Sequence, residues 1–122
     1  MLTHNEVKAI MAKKFKDENC YFTENDIKVR LINSHIEIQI RGYDHITYSL
    51  VPTKCVCEFF QPFMVTIYES MVFSKHPYDK LSVGCCDSDR DYPFKEALVE
   101  LAYHISRCVF HKTIAPYKEV CK

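Results

Sequence analysis

Histidine, cysteine and closely spaced aspartate are the residues here whose types and spacing invite chemistry. Seven cysteines occur, at positions 20, 55, 57, 85, 86, 108 and 121. Cys55 and Cys57 form one pair, and Cys85 and Cys86 another. Structural zinc sites usually leave two or more residues between paired thiols, so that both sulfurs reach one tetrahedral ion at about 2.3 Å. Adjacent cysteines in a strand point to opposite faces instead. The thiols therefore read as small buried hydrophobes, with no metal ligand assigned and no cofactor expected. Asp87, Asp89 and Asp91 are spaced like the start of a calcium loop. Tyr92 stands where that loop needs glycine, and Leu98 where it needs its closing glutamate. Three carboxylates ahead of a helix are explained by the helix dipole. His104, Cys108 and His111 follow i, i+4, i+7 beside Glu100 and Arg107, a polar row along one shoulder of a helix. With only Gly42 and Gly84 in the chain, no glycine-rich phosphate loop is possible.

A further pattern is His-x-Thr/Ser. It occurs at His45-Ile46-Thr47, at His104-Ile105-Ser106 and at His111-Lys112-Thr113. Paired motifs of this kind resemble the signature of the 2H phosphoesterases. The resemblance implies one histidine as base, the other as acid, and hydroxyls that hold a cyclic or 2′–5′ phosphodiester. Carried onto this chain, it gives His45, Thr47, His111 and Thr113 as catalytic residues of a metal-independent phosphodiesterase. In that superfamily each motif lies on a strand. Residues two apart on a helix diverge by about 200°, so the reading requires a strand near residues 109–115. Lys112 departs from the apolar middle residue of the family's motif.

The elements that position these groups follow from periodicity. Thr3 and Glu6 form a capping box, with Leu2 and Val7 placed as a hydrophobic staple. Val7, Ile10, Met11 and Phe15 then mark a helix over 4–16. Its lysines, Lys8, Lys13, Lys14 and Lys16, suit the C-terminal end of the dipole, with phosphate binding as the alternative use. From Ile27 to Val51 apolar residues alternate with polar ones, as in three antiparallel strands. Hairpins at Asn33-Ser34 and Gly42-Tyr43-Asp44 pair Val29 with Ile38, and Ile38 with Tyr48. One face is then apolar. The other carries Lys28, Arg30, His35, Glu37, Gln39, Arg41, His45, Thr47 and Ser49. Residues 62–74 fit a helix through Met64, Ile67, Tyr68, Met71 and Val72, although β-branched and aromatic content suits a strand there. We read it as helix on length. Lys80–Cys85 reads as a further strand on the sheet edge. Asp91 and Pro93 open a long amphipathic helix over 93–111, with Phe94, Leu98, Leu101, Ala102, Ile105, Cys108 and Val109 on its apolar stripe. The predicted core comprises Val7, Ile10, Met11, Phe15, Ile27, Val29, Leu31, Ile36, Ile38, Ile40, Ile46, Tyr48, Leu50, Leu98, Leu101, Ile105 and Val109.

The expected fold class is α+β: an antiparallel β-meander of three to four or more strands in one domain, residues 1–122. An N-terminal helix and a long C-terminal helix pack on one face. Sixteen basic and sixteen acidic residues give zero formal net charge. That offers no support for a dedicated nucleic-acid binder, which carries excess Lys and Arg. No apolar run reaches the roughly 20 residues that span a bilayer. An odd cysteine count, with no secretory apolar segment after Met1, points to reduced thiols in the cytoplasm. The leading expectation is a non-enzymatic binding protein that occupies the surface of a protein partner, as a phage or mobile-element regulator or inhibitor would. Lys28, Arg30, Glu37, Gln39, Arg41 and His45 are its candidate contacts. Self-association through an exposed edge strand, giving a homodimer, is a further reading.

Overall fold

The computed structural model describes residues 2–54, 63–71, 78–85 and 91–112. The capping box forms as the sequence requires. The Glu6 amide donates to Thr3 Oγ1 at 3.2 Å, and the Thr3 amide donates to Glu6 Oε1 at 3.1 Å. These bonds hold the Glu6 carboxyl below its ordinary value. Helix α1 runs His4–Asp17. It ends in a Schellman-type turn, in which the Cys20 amide donates to the Phe15 carbonyl at 2.8 Å. Asn19 takes the left-handed φ of 56° that this ending demands.

A short 3-10 turn at Glu24–Asp26 leads into β1, Ile27–Ile32. Strands β2, His35–Ile40, and β3, Ile46–Lys54, complete the expected meander, although β3 runs through Pro52 to Lys54 instead of ending at Val51, because its last residues pair with β4. Its register is the anticipated one, with Val29 opposite Ile38, Arg30 opposite Glu37, and Ile38 opposite Tyr48. Asn33 (φ 54°) and Gly42 (φ 89°) supply the left-handed residues of the two hairpin turns.

The segment expected as a helix over 62–74 is instead a strand where described, β4 at Phe63–Met71. It pairs antiparallel with β3 along its whole length, from Ile46 opposite Met71 to Lys54 opposite Phe63. Nine β3 residues each find a partner, and Val65, Thr66 and Ile67 suit a pleated surface better than a helix. Strand β5, Tyr78–Cys85, begins earlier than expected and closes a five-stranded sheet of order β1-β2-β3-β4-β5. It does lie on the edge, and a register shift opposite Ile67 and Tyr68 bulges it.

Helix α2 runs Asp91–Phe110, and the residues before it lie outside those described. Phe94, Ala97, Leu98, Leu101, Ala102 and Ile105 are buried along one side. They pack with Val7, Met11 and Phe15 of α1 against Ile36, Ile38, Leu50, Val65 and Ile67 of the sheet. Glu6 lies near Lys95, and Lys14 Nζ sits 5.5 Å over the Tyr103 ring, so the helices run side by side in one direction. Ile10, Val29, Leu31 and Val109 are at the margin of the core rather than inside it. Leu2, Phe22 and Tyr43 join the core unexpectedly. Phe22 meets Phe15 at 5.3 Å and Tyr43 at 5.8 Å, both edge to face, which pins the β2–β3 turn to the end of α1.

Candidate functional site

Because α1 and α2 share one face of the sheet, alternation sends the polar set of β1, β2 and β3 to the other. Lys28, Arg30, Glu37, Gln39 and Thr47 line a shallow concavity of about 210 Å³ there. Its charges are compensated. Lys28 Nζ is 3.2 Å from Asp44 Oδ2, and Arg30 Nη1 is 3.9 Å from Glu37 Oε1. Gln39 Nε2 donates to Thr47 Oγ1 at 3.0 Å and to the Asp44 carbonyl at 3.3 Å. Arg41 lies just past β2 and is exposed, while its amide donates to the Asp26 carbonyl at 2.8 Å.

His45 differs from its expected placement on this polar face. Strand β3 starts at Ile46, so His45 belongs to the preceding turn, and it is only 4% exposed. Burial pushes its imidazole below the ordinary value of 6.5, against the opposing pull of the Asp44 carboxylate. Thr47 remains half-buried on the open face, bonded to Gln39. His111 is exposed in a turn at the end of α2, which Lys112 terminates with φ 54°. Residues 109 and 110 are thus helical and 111–112 form a turn. Thr113 lies outside the described residues, as do Cys55, Cys57, Cys86 and Cys121.

The fold also creates a cluster across α2 and β4. Glu69 stands opposite Tyr48 on the helix-covered face and is 3% exposed. His104 Nε2 lies 3.6 Å from Glu69 Oε2 and 3.5 Å from Cys108 Sγ. The histidine and cysteine were visible in the sequence as an i, i+4 pair. Glu69 was not, because a helical reading of 62–74 turns it away from the apolar stripe. The His104 ring nitrogen thus stands within reach of both the buried carboxyl and the thiol. The cluster therefore ties α2 to β4. Among the described residues, no group of three or more His, Cys, Asp or Glu side chains could hold a metal ion.

A larger groove of about 730 Å³ lies between α1 and residues 19–25, lined in part by Lys13, Lys16, Cys20 and Tyr21. Lys14 is engaged elsewhere, 3.0 Å from Glu18 Oε1, and this bond raises its ammonium above the ordinary value. The groove sits at the C-terminal, negative end of the α1 dipole, which opposes anion binding by the two lysines. No helix among the described residues is long and apolar enough to cross a membrane. Neither a protein-family model nor a curated protein nor a solved structure matches this chain, so the reading of its surfaces rests on the geometry above.

Proposed function

We propose that this chain is a non-enzymatic binding protein that presents the open face of its sheet to a protein partner. One observation carries the reading: both helices lie on the same side, leaving Lys28, Arg30, Glu37, Gln39 and Thr47 around a concavity on the other. The face alternates basic and acidic groups instead of accumulating either sign. That pattern favours a protein surface of mixed charge over a phosphate backbone, which selects for basic excess. Binding of this kind needs no reacting group, and the protein would act by covering the surface it occupies. Arg41 sits at the rim of the same face, whereas buried His45 supports the turn behind it.

The test is affinity purification of three tagged chains from one extract. These are the wild type, a chain with Lys28→Glu, Arg30→Glu and Arg41→Glu, and a chain with Tyr103→Ala on the opposite side. A partner retained by the wild type and the Tyr103 variant but lost from the triple variant supports the proposal. Equal recovery by all three chains, or none by the wild type, defeats it. Circular dichroism of the triple variant verifies that the fold survives.

A further inference from the structure

The outward side of α2 carries exposed apolar residues at regular spacing. Tyr92 is 44% exposed, Val99 36%, Tyr103 38% and Phe110 77%. At 3.6 residues per turn these four fall within an arc of about 40°, along roughly 27 Å of helix. A surface helix normally turns polar residues outward on this side, and a large exposed apolar stripe marks an interaction surface.

We propose that this stripe is a homodimer interface, in which α2 of one copy packs antiparallel on α2 of another. The stripe is self-complementary about a two-fold axis between Val99 and Tyr103. That axis sets Tyr92 of each copy against Phe110 of its mate, and Val99 against Tyr103, so all four residues are matched in one register. Charge on the flank agrees. Glu96 and Arg107 lie on the same side of the stripe, about 40–60° from its centre. A two-fold axis perpendicular to antiparallel helices places equivalent flanks together. Glu96 of each copy then meets Arg107 of the other, giving two symmetric ion pairs. A zero formal net charge leaves no long-range repulsion between copies. The alternative self-association, through the β5 edge, is disfavoured by the bulge there, a device that obstructs edge-to-edge pairing. A single helix pair covers less than the roughly 800 Å² per partner of a standard interface, so the dimer depends on concentration.

Sedimentation of the full chain over a wide concentration range tests this directly. The wild type is expected to show a monomer–dimer equilibrium, and Val99→Glu with Tyr103→Glu to remain monomeric. Glu96→Arg alone and Arg107→Glu alone should each weaken dimerisation by about tenfold or more, through like charges brought together. The double exchange Glu96→Arg with Arg107→Glu should restore it, since each copy then offers the reversed pair. All these residues lie on the helix surface, and circular dichroism of each variant checks the fold. A wild type that stays monomeric throughout overturns the proposal. So does a dimer indifferent to all of these changes, or a double exchange that fails to rescue.

Discussion

On the helix-covered face of the sheet, Glu69 keeps only 4% of its side chain in solvent and has the His104 imidazole 3.6 Å away. On the open face, Arg30 keeps 73% of its side chain in solvent and faces Glu37 at 3.9 Å. The two contacts are similar in length, yet their surroundings differ in what they demand. A buried carboxyl group that loses a polar neighbour retains its desolvation penalty, whereas an exposed guanidinium that loses one is simply hydrated. The same contact length is therefore structural on one side and available for exchange on the other. An open face whose charges already hold weak partners can trade them for a protein's charges at small cost.

The largest effect should come from the covered face. Leu98 is fully buried between α2 and the sheet, and Leu98→Ala should destabilise the fold by about 2–5 kcal/mol in denaturant titration. A loss below about 1 kcal/mol would mean that α2 is only loosely seated there. His104→Ala is the sharper probe, because it removes the imidazole facing Glu69 while leaving the carboxylate buried. We expect a loss of about 1–3 kcal/mol. His104→Ala combined with Glu69→Leu should recover part of it, since an apolar pair removes the cost of burying the carboxyl group.

The contrast between the faces also explains which parts of the fold were legible in the sequence. Ile36, Ile38 and Ile40 alternate strictly with His35, Glu37 and Gln39, so slipping the register by one residue would turn every isoleucine to water. That pattern determined β1 and β2 residue by residue, whereas β3 starts one residue later than expected and runs on past Val51 to Lys54. In β4 the inward positions are Val65, Ile67 and Glu69, and the outward ones include Tyr68. A buried acid at one inward position breaks the alternation that would have announced a strand. Met64, Ile67, Tyr68 and Met71 meanwhile coincide with helical spacing. Only the pairing with β3 resolves the two, and pairing over that distance leaves no local mark. The open face was legible for the same reason as the strands, because alternation assigns Lys28, Arg30, Glu37 and Gln39 to it without further information. His45 was misplaced by extending that alternation one residue beyond the start of β3, into a turn that folds inward. The Glu69–His104–Cys108 cluster needed both the β4 strand and the position of α2, so only its helical half could be anticipated.

His45 offers a comparison restricted in pH. Its neutral form is favoured in the folded protein, because burial lowers its proton affinity below that of an exposed imidazole. As pH falls through the ordinary value of 6.5, the unfolded chain takes up a proton before the folded one does. The associated stability is complete above that value and declines below it, toward the depressed folded value. Melting temperature should therefore fall on acidification from neutral pH to below the ordinary value of 6.5, more steeply in the wild type than in His45→Gln. Parallel curves for the two proteins would show that His45 titrates as though exposed, and would remove the distinction between it and the open-face residues.

The smallest effect should be found at Arg30. Opposite charges paired across strands contribute about 0.2–1 kcal/mol at best, and a side chain this exposed lies at the low end. Arg30→Ala should change stability by no more than about 0.5 kcal/mol, and added salt should erase the difference, since exposed pairs are screened within roughly 10 Å. A loss comparable to that of His104→Ala would mean that Arg30 and Glu37 are locked together. The open face would then be a structural surface like the covered one, with its charges committed to one another instead of to a partner. A null effect on stability, combined with loss of a partner from the open-face variant, would separate folding from binding on this face.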